Sequence, residues 1–158
     1  IELNSMGSGI WGSAFFAIFA VMIIISRPLV GKAYARYGSK YIIYPGLVLF
    51  ILGLLALGIA TTPLTIILTA PLLGLGYGAA QPAFQALAIQ SAPIERAGVS
   101  TATYFLALDI SVGAGSVILA LLASAVGYQY LYMFTAVTMI VALALYHIWI
   151  KRYTPLEL

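Results

Sequence analysis

Five long runs of apolar residues, separated by short polar stretches, constrain this chain more than any other feature of its sequence. About 20 consecutive apolar residues suffice to span the hydrocarbon of a bilayer as a helix. The chain is 63% hydrophobic and 7% charged, which leaves too little polar surface to cover a water-soluble protein. We therefore expect an all-α membrane protein. Charge, Gly and Pro punctuate the runs and predict five transmembrane helices near Gly9–Arg27, Tyr41–Ala60, Leu64–Ser91, Gly98–Val126 and Tyr130–Ile150.

The cations lie at alternate ends of these runs, and the other ends have none. They are Arg27, Lys32, Arg36, Lys40, Arg96, Lys151 and Arg152. Because loops rich in Lys and Arg stay in the cytoplasm, this pattern predicts an amino end outside the cell membrane and a carboxyl end inside. Residues 1–8 would form an extracytoplasmic loop, 9–150 a five-helix transmembrane domain and 151–158 a cytoplasmic tail. The membrane would be a plasma or bacterial inner membrane.

Composition also excludes several classes of function. The chain has no Cys, one His and four acidic residues, so it has too few groups for thiol chemistry or for an ordinary catalytic or metal site. It contains no phosphate-binding loop and no nucleophile elbow. The sequence has no basic face with interleaved aromatic residues, which is the pattern typical of nucleic-acid binding. We expect neither an enzyme nor a bound cofactor or metal.

Polar side chains recur along the third helix. Tyr77, Gln81 and Gln85 follow an i, i+4, i+8 spacing, which places them on one helix face. Hydrocarbon cannot satisfy their hydrogen-bonding groups, so this face should point to the bundle interior or to a cavity. Substrate contact and hydrogen bonding between helices both remain open, because amides serve either purpose in membranes.

Asp109 is the ionisable residue deepest within an apolar run. Placing its charge in the hydrocarbon costs about 2.5–3.5 kcal/mol on translocon scales. Two roles remain open. Asp109 could couple protons or attract a cationic substrate, or it could be a neutral, hydrogen-bonded side chain that braces a helix interface.

Small residues repeat every fourth position on two helices. Gly74 and Gly78 lie on the third, and Ala107, Ser111 and Gly115 on the fourth. This spacing lets helix backbones approach closely, so we expect both stripes to pack against neighbouring helices.

Amphipathic aromatic residues lie near the predicted helix ends. Tyr128, Tyr130, Tyr132 and Trp11 predict an aromatic belt at the outer interface, and His147 lies where such side chains gather at the inner one.

The first polar connection, "GKAYARYGSK", resembles the loop motif of the major facilitator superfamily, G-x-x-x-D-R/K-x-G-R/K-R/K. Gly31, Arg36, Gly38 and Lys40 match, and Ala35 occupies the acidic position. The resemblance makes these residues candidates for a gating loop. Arg27 and Arg96, at the inner helix ends, are further candidates for gating. Their alternative role is to fix the membrane topology and form local ion pairs.

The resemblance extends over essentially the whole chain. "GLGYGAAQPAFQALAIQSAPIERAG" is similar to the tenth helix and following loop of drug:proton antiporter-like members. "LDISVGAGSVILALLASAVGY" resembles the eleventh helix, where Asp109, Gly113 and Gly115 fit a glycine-rich antiporter motif that here lacks its Gly-Pro pair. The resemblance implies helices eight to twelve, part of a carboxyl-terminal six-helix half. A chain that begins at Ile1 rather than Met would then be a fragment.

This family resemblance implies a secondary active transporter that moves a small molecule by alternating access. Drug or metabolite efflux coupled to protons fits the motifs best. The superfamily forms its pathway between two halves, near the membrane midplane. The implied partners are the lipid bilayer, the missing amino-terminal half and a small-molecule substrate. The alternative is a noncatalytic helical membrane module that folds with or regulates a partner membrane protein.

Overall fold

Five long helices make up the part of the chain that the computed structural model describes, which is residues 6–153, with side chains for residues 9–149. They are α1 (Met6–Tyr37), α2 (Lys40–Ile59), α3 (Pro63–Gln90), α4 (Ala97–Val126) and α5 (Tyr128–Tyr153), with a 3-10 turn at Ile94–Arg96. Each helix is long and apolar enough to cross a membrane. The prediction of an all-α membrane protein with five spanning helices is confirmed.

The first helix is longer than the sequence predicted. It has 32 residues and ends at Tyr37 instead of Arg27, so its length is about 48 Å at about 1.5 Å per residue. Pro28 and Gly31, expected in a loop, lie inside the helix. Polarity ends the membrane-spanning part of a helix but does not end the helix, because Arg, Lys and Ala are good helix formers.

A glycine ends α1 and turns the chain into α2. Gly38 has a φ of +82°, and its N–H donates to the Tyr34 carbonyl at 3.0 Å, as in a left-handed helix cap. Gly38 and Ser39 are the two residues between α1 and α2. The expected loop between Arg27 and Tyr41 is therefore wrong, and most of the "GKAYARYGSK" motif is helical.

Hydrogen bonds bring alternate helix ends together. The Tyr34 hydroxyl of α1 donates to Oε1 of Gln90 at the end of α3, at 2.9 Å. The Tyr44 hydroxyl near the start of α2 lies 2.6 Å from Nδ1 of His147 near the end of α5. We call this side of the bundle the cationic end, because Arg36, Lys40 and Arg96 lie in its connections. The other side, where α1, α3 and α5 begin, is the neutral end.

Helix α3 lies between α1 and α2 and packs closely on both through glycines. A Cβ added at Gly74 would lie 2.7 Å from the Phe19 carbonyl oxygen of α1, and one at Gly76 would lie 2.5 Å from the Phe50 nitrogen of α2. A Cβ at Gly78 would collide with Ser26 of α1. The predicted close approach at Gly74 and Gly78 is confirmed, and the sequence analysis missed Gly76.

The buried core joins α2, α3 and α5. Ile43, Ala70 and Ala136 have no exposed surface, and two apolar clusters, one around Ile43 and one around Ala136, lie toward opposite ends of the bundle. Helix α4 differs, because none of its residues is buried. It is attached to α3 through two side chains of its first turns: the Ser100 hydroxyl donates to the Ala88 carbonyl at 2.6 Å, and the Tyr104 hydroxyl donates to the Gln81 carbonyl at 3.0 Å.

Candidate functional site

The three polar residues predicted on α3 remain on one face of an uninterrupted helix. Tyr77 is 41% exposed, and its ring centroid is 6.2 Å from those of Phe19 and Phe50. Gln81 and Gln85 are half-buried. The Gln85 amide makes no hydrogen bond with another residue of the described part of the chain. It is therefore free to donate to and accept from a bound molecule, and its role as a substrate contact stays a prediction.

Asp109 lies on α4 with its side chain exposed. Among residues 9–149 its carboxylate has no hydrogen bond or ion pair. Within residues 9–149 no hydrogen bond to another helix braces Asp109, and the Ser100 and Tyr104 hydroxyls join α4 to α3 nearer its start. Proton coupling by Asp109 stays a prediction.

The small-residue stripe on α4 is also uncovered. Ala107 and Ser111 are exposed, and a Cβ added at Gly113 or Gly115 would meet no atom within 4 Å. The Ser111 hydroxyl donates to the Ala107 carbonyl at 2.7 Å, inside its own helix. The prediction that this stripe packs against a helix is wrong within the described residues.

The residues predicted for the gating loop are divided between α1 and two separate connections. Gly38 and Lys40 lie at the turn from α1 to α2, and the Arg36 guanidinium carbon lies 5.4 Å from the centre of the Tyr37 ring. Gly31 and Arg27 are exposed residues further back on α1. Arg96 ends the 3-10 turn before α4.

Local ion pairs were expected for the arginines at the helix ends. In the part of the chain with described side chains, neither Arg27 nor Arg96 makes one, although Glu95 adjoins Arg96. Arg96 instead lines a groove of about 400 Å³ with Ser100, Thr103 and Tyr104. Its guanidinium is therefore available to lipid headgroups or to another part of the protein.

Two cavities separate the helices at opposite ends of the bundle. One, of about 800 Å³, lies between α3, α4 and α5 toward the cationic end, and its walls include Phe84, Leu87, Tyr104, Leu145, Tyr146 and Trp149. The other, of about 440 Å³, lies between α1, α2, α3 and α5 at the neutral end. We call the second one the aromatic chamber, because six aromatic side chains line it: Trp11, Phe15, Phe16, Phe19, Phe50 and Tyr132.

The chamber changes one prediction about the aromatic belt. Tyr128 and Tyr130 are 65% and 68% exposed, as side chains of an interfacial belt should be. Tyr132 is half-buried and lines the chamber instead. Its position two residues after Tyr130 places it on the opposite side of α5 from that residue, but Tyr128 shares its face one turn earlier, so helical spacing alone does not separate Tyr132 from the belt.

The hydrogen bonds at the cationic end were missed by sequence reasoning. Tyr44 received no role, and His147 was expected at the membrane interface. The two residues are 103 positions apart, and no local pattern indicates a partner at that separation.

Comparison with known proteins gives a consistent family. The family model described as Major Facilitator Superfamily matches residues 3–157. A protein of Escherichia coli O6:H1 (strain CFT073), named "Uncharacterized MFS-type transporter YhhS", is 29% identical over 94% of this chain and 37% of its own length.

Proteins of the same name in other bacteria match similarly. That of Escherichia coli strain K12 is 29% identical over 93% of this chain and 36% of its own length. That of Salmonella enteritidis PT4 is 28% identical over 92% of this chain and 36% of its own length. The chain thus spans a little over a third of these curated relatives. No solved structure matches it.

Proposed function

The chain belongs to the Major Facilitator Superfamily, and on that premise we propose that it forms part of a secondary active transporter that moves a small molecule by alternating access. The observation that carries this proposal is the family match over residues 3–157, which includes all five apolar helices. Similarity to proteins named as transporters over 92–94% of the chain favours this function over a regulatory membrane module.

Within such a transporter we place α1 to α5 as helices eight to twelve. The order of the loop, tenth-helix and eleventh-helix motifs along α1 to α4 supports that placement, and the matched 36–37% of the relatives' length is compatible with five helices of twelve. The superfamily binds its substrates between two six-helix halves. The polar face of Tyr77, Gln81 and Gln85 would then form part of one wall of the pathway.

The environment of the Asp109 carboxylate depends on what the rest of the proposed transporter places against α4. An exposed carboxylate facing hydrocarbon costs about 2.5–3.5 kcal/mol on translocon scales. We infer that the uncovered side of α4 faces the other half or a water-filled pathway, where the carboxylate could exchange a proton. A transporter of the drug:proton antiporter type would use such a group to couple efflux to the proton gradient.

Flux measurements on the full-length transporter that carries this chain test the coupling. In proteoliposomes with an imposed pH gradient, a panel of labelled amphipathic cations, beginning with ethidium, is screened for gradient-driven movement. Asp109→Asn should abolish driven movement and leave exchange without a gradient intact, whereas Asp109→Glu, which keeps the carboxylate, should retain both. Driven movement at the wild-type rate in Asp109→Asn would remove Asp109 from the coupling mechanism.

The proposed orientation has its own test, because the chain contains no Cys. Ser39→Cys places a thiol at the cationic end, and Thr62→Cys places one at the neutral end. In right-side-out vesicles a membrane-impermeant maleimide should label Thr62→Cys at once and Ser39→Cys only after permeabilisation. The reverse order would invert the topology, and labelling of both before permeabilisation would contradict it.

A further inference from the structure

We propose that the aromatic chamber is a second ligand site, separate from the polar face of α3, and that it binds a flat, uncharged aromatic molecule carrying a hydrogen-bond acceptor. The chamber extends from the neutral end toward the middle of the bundle, between the amino-terminal halves of α1, α3 and α5 and the carboxyl-terminal half of α2. Its volume of about 440 Å³ falls within the usual range of small-molecule pockets, about 300–1,000 Å³.

The walls indicate a planar ligand. Phe15 and Phe19 are nearly parallel, with an interplanar angle of 6° and centroids 6.3 Å apart. Phe16 meets Phe15 edge to face at 87° and 5.5 Å. These three wall rings are held parallel and perpendicular to one another, so they can make stacked and edge-to-face contacts with the aromatic ring of a ligand. A flexible acyl chain makes no such contacts and loses rotamer freedom when confined.

The rim of the chamber indicates the polar group of the ligand. Trp11, Thr61 and Tyr132 lie near helix ends and contribute an indole N–H and two hydroxyls. None of these three groups donates a hydrogen bond to another residue of the described part of the chain. The side chains that line the chamber include no charged group. An uncharged molecule with a carbonyl or similar acceptor at one end therefore fits better than an ion.

The chamber adjoins the candidate substrate face. The Tyr77 ring lies 6.2 Å from Phe19 and from Phe50, two of the chamber walls. Tyr77 therefore connects two walls of the chamber to the polar face of α3. That the chamber's ligand is also the transported substrate rests on the proposed function. Binding of the ligand does not, and the experiment below measures binding alone.

The two tryptophans of the chain make the experiment direct. Trp11 lines the chamber, and Trp149 lines the 800 Å³ cavity at the other end of the bundle. The purified chain in phospholipid nanodiscs is titrated with 6-bromo-2-acetylnaphthalene, a flat ketone whose bromine quenches tryptophan on contact. Trp149→Phe leaves Trp11 as the reporter, and Trp11→Phe leaves Trp149. Quenching of Trp11 should saturate, whereas quenching of Trp149 should rise linearly as the probe partitions into lipid.

Substitutions in the chamber walls test whether saturable quenching of Trp11 comes from binding in the chamber. Phe15→Leu in the Trp149→Phe background should raise the half-saturating concentration about fivefold, the change expected for the loss of one aromatic contact. Phe105→Leu, at an exposed position on α4, is the matched control and should leave it unchanged. Gly12→Leu fills the chamber from a position where an added Cβ meets no atom within 4 Å, so it should fold normally and abolish saturation.

A competitor with a flexible alkyl chain tests whether the chamber prefers a flat aromatic ligand to a lipid-like molecule. Undecan-2-one has the same ketone without a ring, and it should fail to restore Trp11 fluorescence at tenfold the probe concentration. Linear quenching of Trp11, equal saturation at Trp149, saturation that survives Gly12→Leu, or displacement by undecan-2-one would each overturn the proposal.

Discussion

Helices α3 and α4 carry stripes of small residues with the same spacing, but only the stripe on α3 is packed. Gly74 and Gly78 lie against the backbone of α1, and Gly76 lies against α2. On α4 a Cβ added at Gly115 would meet no atom within 4 Å, and Ala107 and Ser111 are exposed. Small-xxx-small spacing thus predicts that a helix can approach another closely, while the position of the partner helix depends on the rest of the fold.

The same contrast separates the candidate functional residues. Tyr77 and Gln81 of α3 contact other helices through a ring and a backbone carbonyl. Asp109 of α4 makes no hydrogen bond or ion pair within residues 9–149, and its side chain is exposed. Helix α3 therefore belongs to the packed centre of this chain, and α4 offers an exposed surface that the other half of the proposed transporter would cover.

Gly76→Val should have the largest effect on the stability of the isolated chain. Its side chain would begin 2.5 Å from the Phe50 nitrogen and 2.8 Å from the Gly46 carbonyl oxygen, and backbone atoms cannot move aside. We expect a loss of about 3 kcal/mol or failure to fold. The measurement is loss of helical circular dichroism with rising dodecyl sulfate in mixed micelles.

Gly113→Val is the matched control for that variant, because it makes the same change on α4 in open space. Its unfolding curve should overlie the wild type. If both valines destabilised the chain equally, the contrast between α3 and α4 would be wrong.

Gly78→Ala sharpens the comparison at the contact of α3 with α1. The new methyl would collide with the Ser26 side chain and lie 3.0 Å from the Ile23 Cα, and we expect a loss of about 1–3 kcal/mol. Ser26→Ala removes the hydroxyl oxygen from the collision but leaves the Ile23 contact. The double variant should recover part of the loss in the same assay, and strict additivity of the two changes would argue against the packing described.

Tyr44→Phe tests the smaller contribution of a hydrogen bond between helices. It removes the hydroxyl that lies 2.6 Å from Nδ1 of His147 and keeps the ring. Such bonds in membrane proteins contribute about 0.6 kcal/mol on average and at most about 1.7 kcal/mol, so the unfolding midpoint should fall slightly. Tyr41→Phe, at a 73% exposed position, should not move it.

Gly115→Ala should have the smallest effect on this chain, within about 0.5 kcal/mol of the wild type, because its methyl meets no neighbour and Ala favours helix. In the full-length transporter we expect the opposite, a loss of transport, if the stripe packs there. Unchanged transport in the full-length protein, measured by the flux assay above, would mean that this part of α4 remains uncovered.

Sequence reasoning identified the five helices because hydrophobic runs are local signals, and four of the five predicted spans end within three residues of the observed helices. It misplaced the end of α1 at Arg27, since charge marks where a helix leaves the hydrocarbon and not where the backbone turns. The backbone turns at Gly38, where a positive φ is needed.

The candidate site was less predictable for a different reason. Spacing placed Tyr77, Gln81 and Gln85 on one face, but nothing local in the sequence could show that Phe19 and Phe50 meet Tyr77 from two other helices. The pair of Tyr44 and His147 and the aromatic chamber likewise depend on tertiary packing. Helix-level patterns indicate which residues share a face, and the fold determines what that face contacts.

Helix α3 is packed between α1 and α2, whereas no residue of α4 is buried, and lipid footprinting of the unmodified chain measures this difference. The chain is placed in nanodiscs that contain a phospholipid with a diazirine in its acyl chain, irradiated, and mapped by mass spectrometry. We predict adducts on residues 105–118 of α4 at several times the yield on residues 69–83 of α3. Equal yields on the two segments, or a higher yield on α3, would contradict the account.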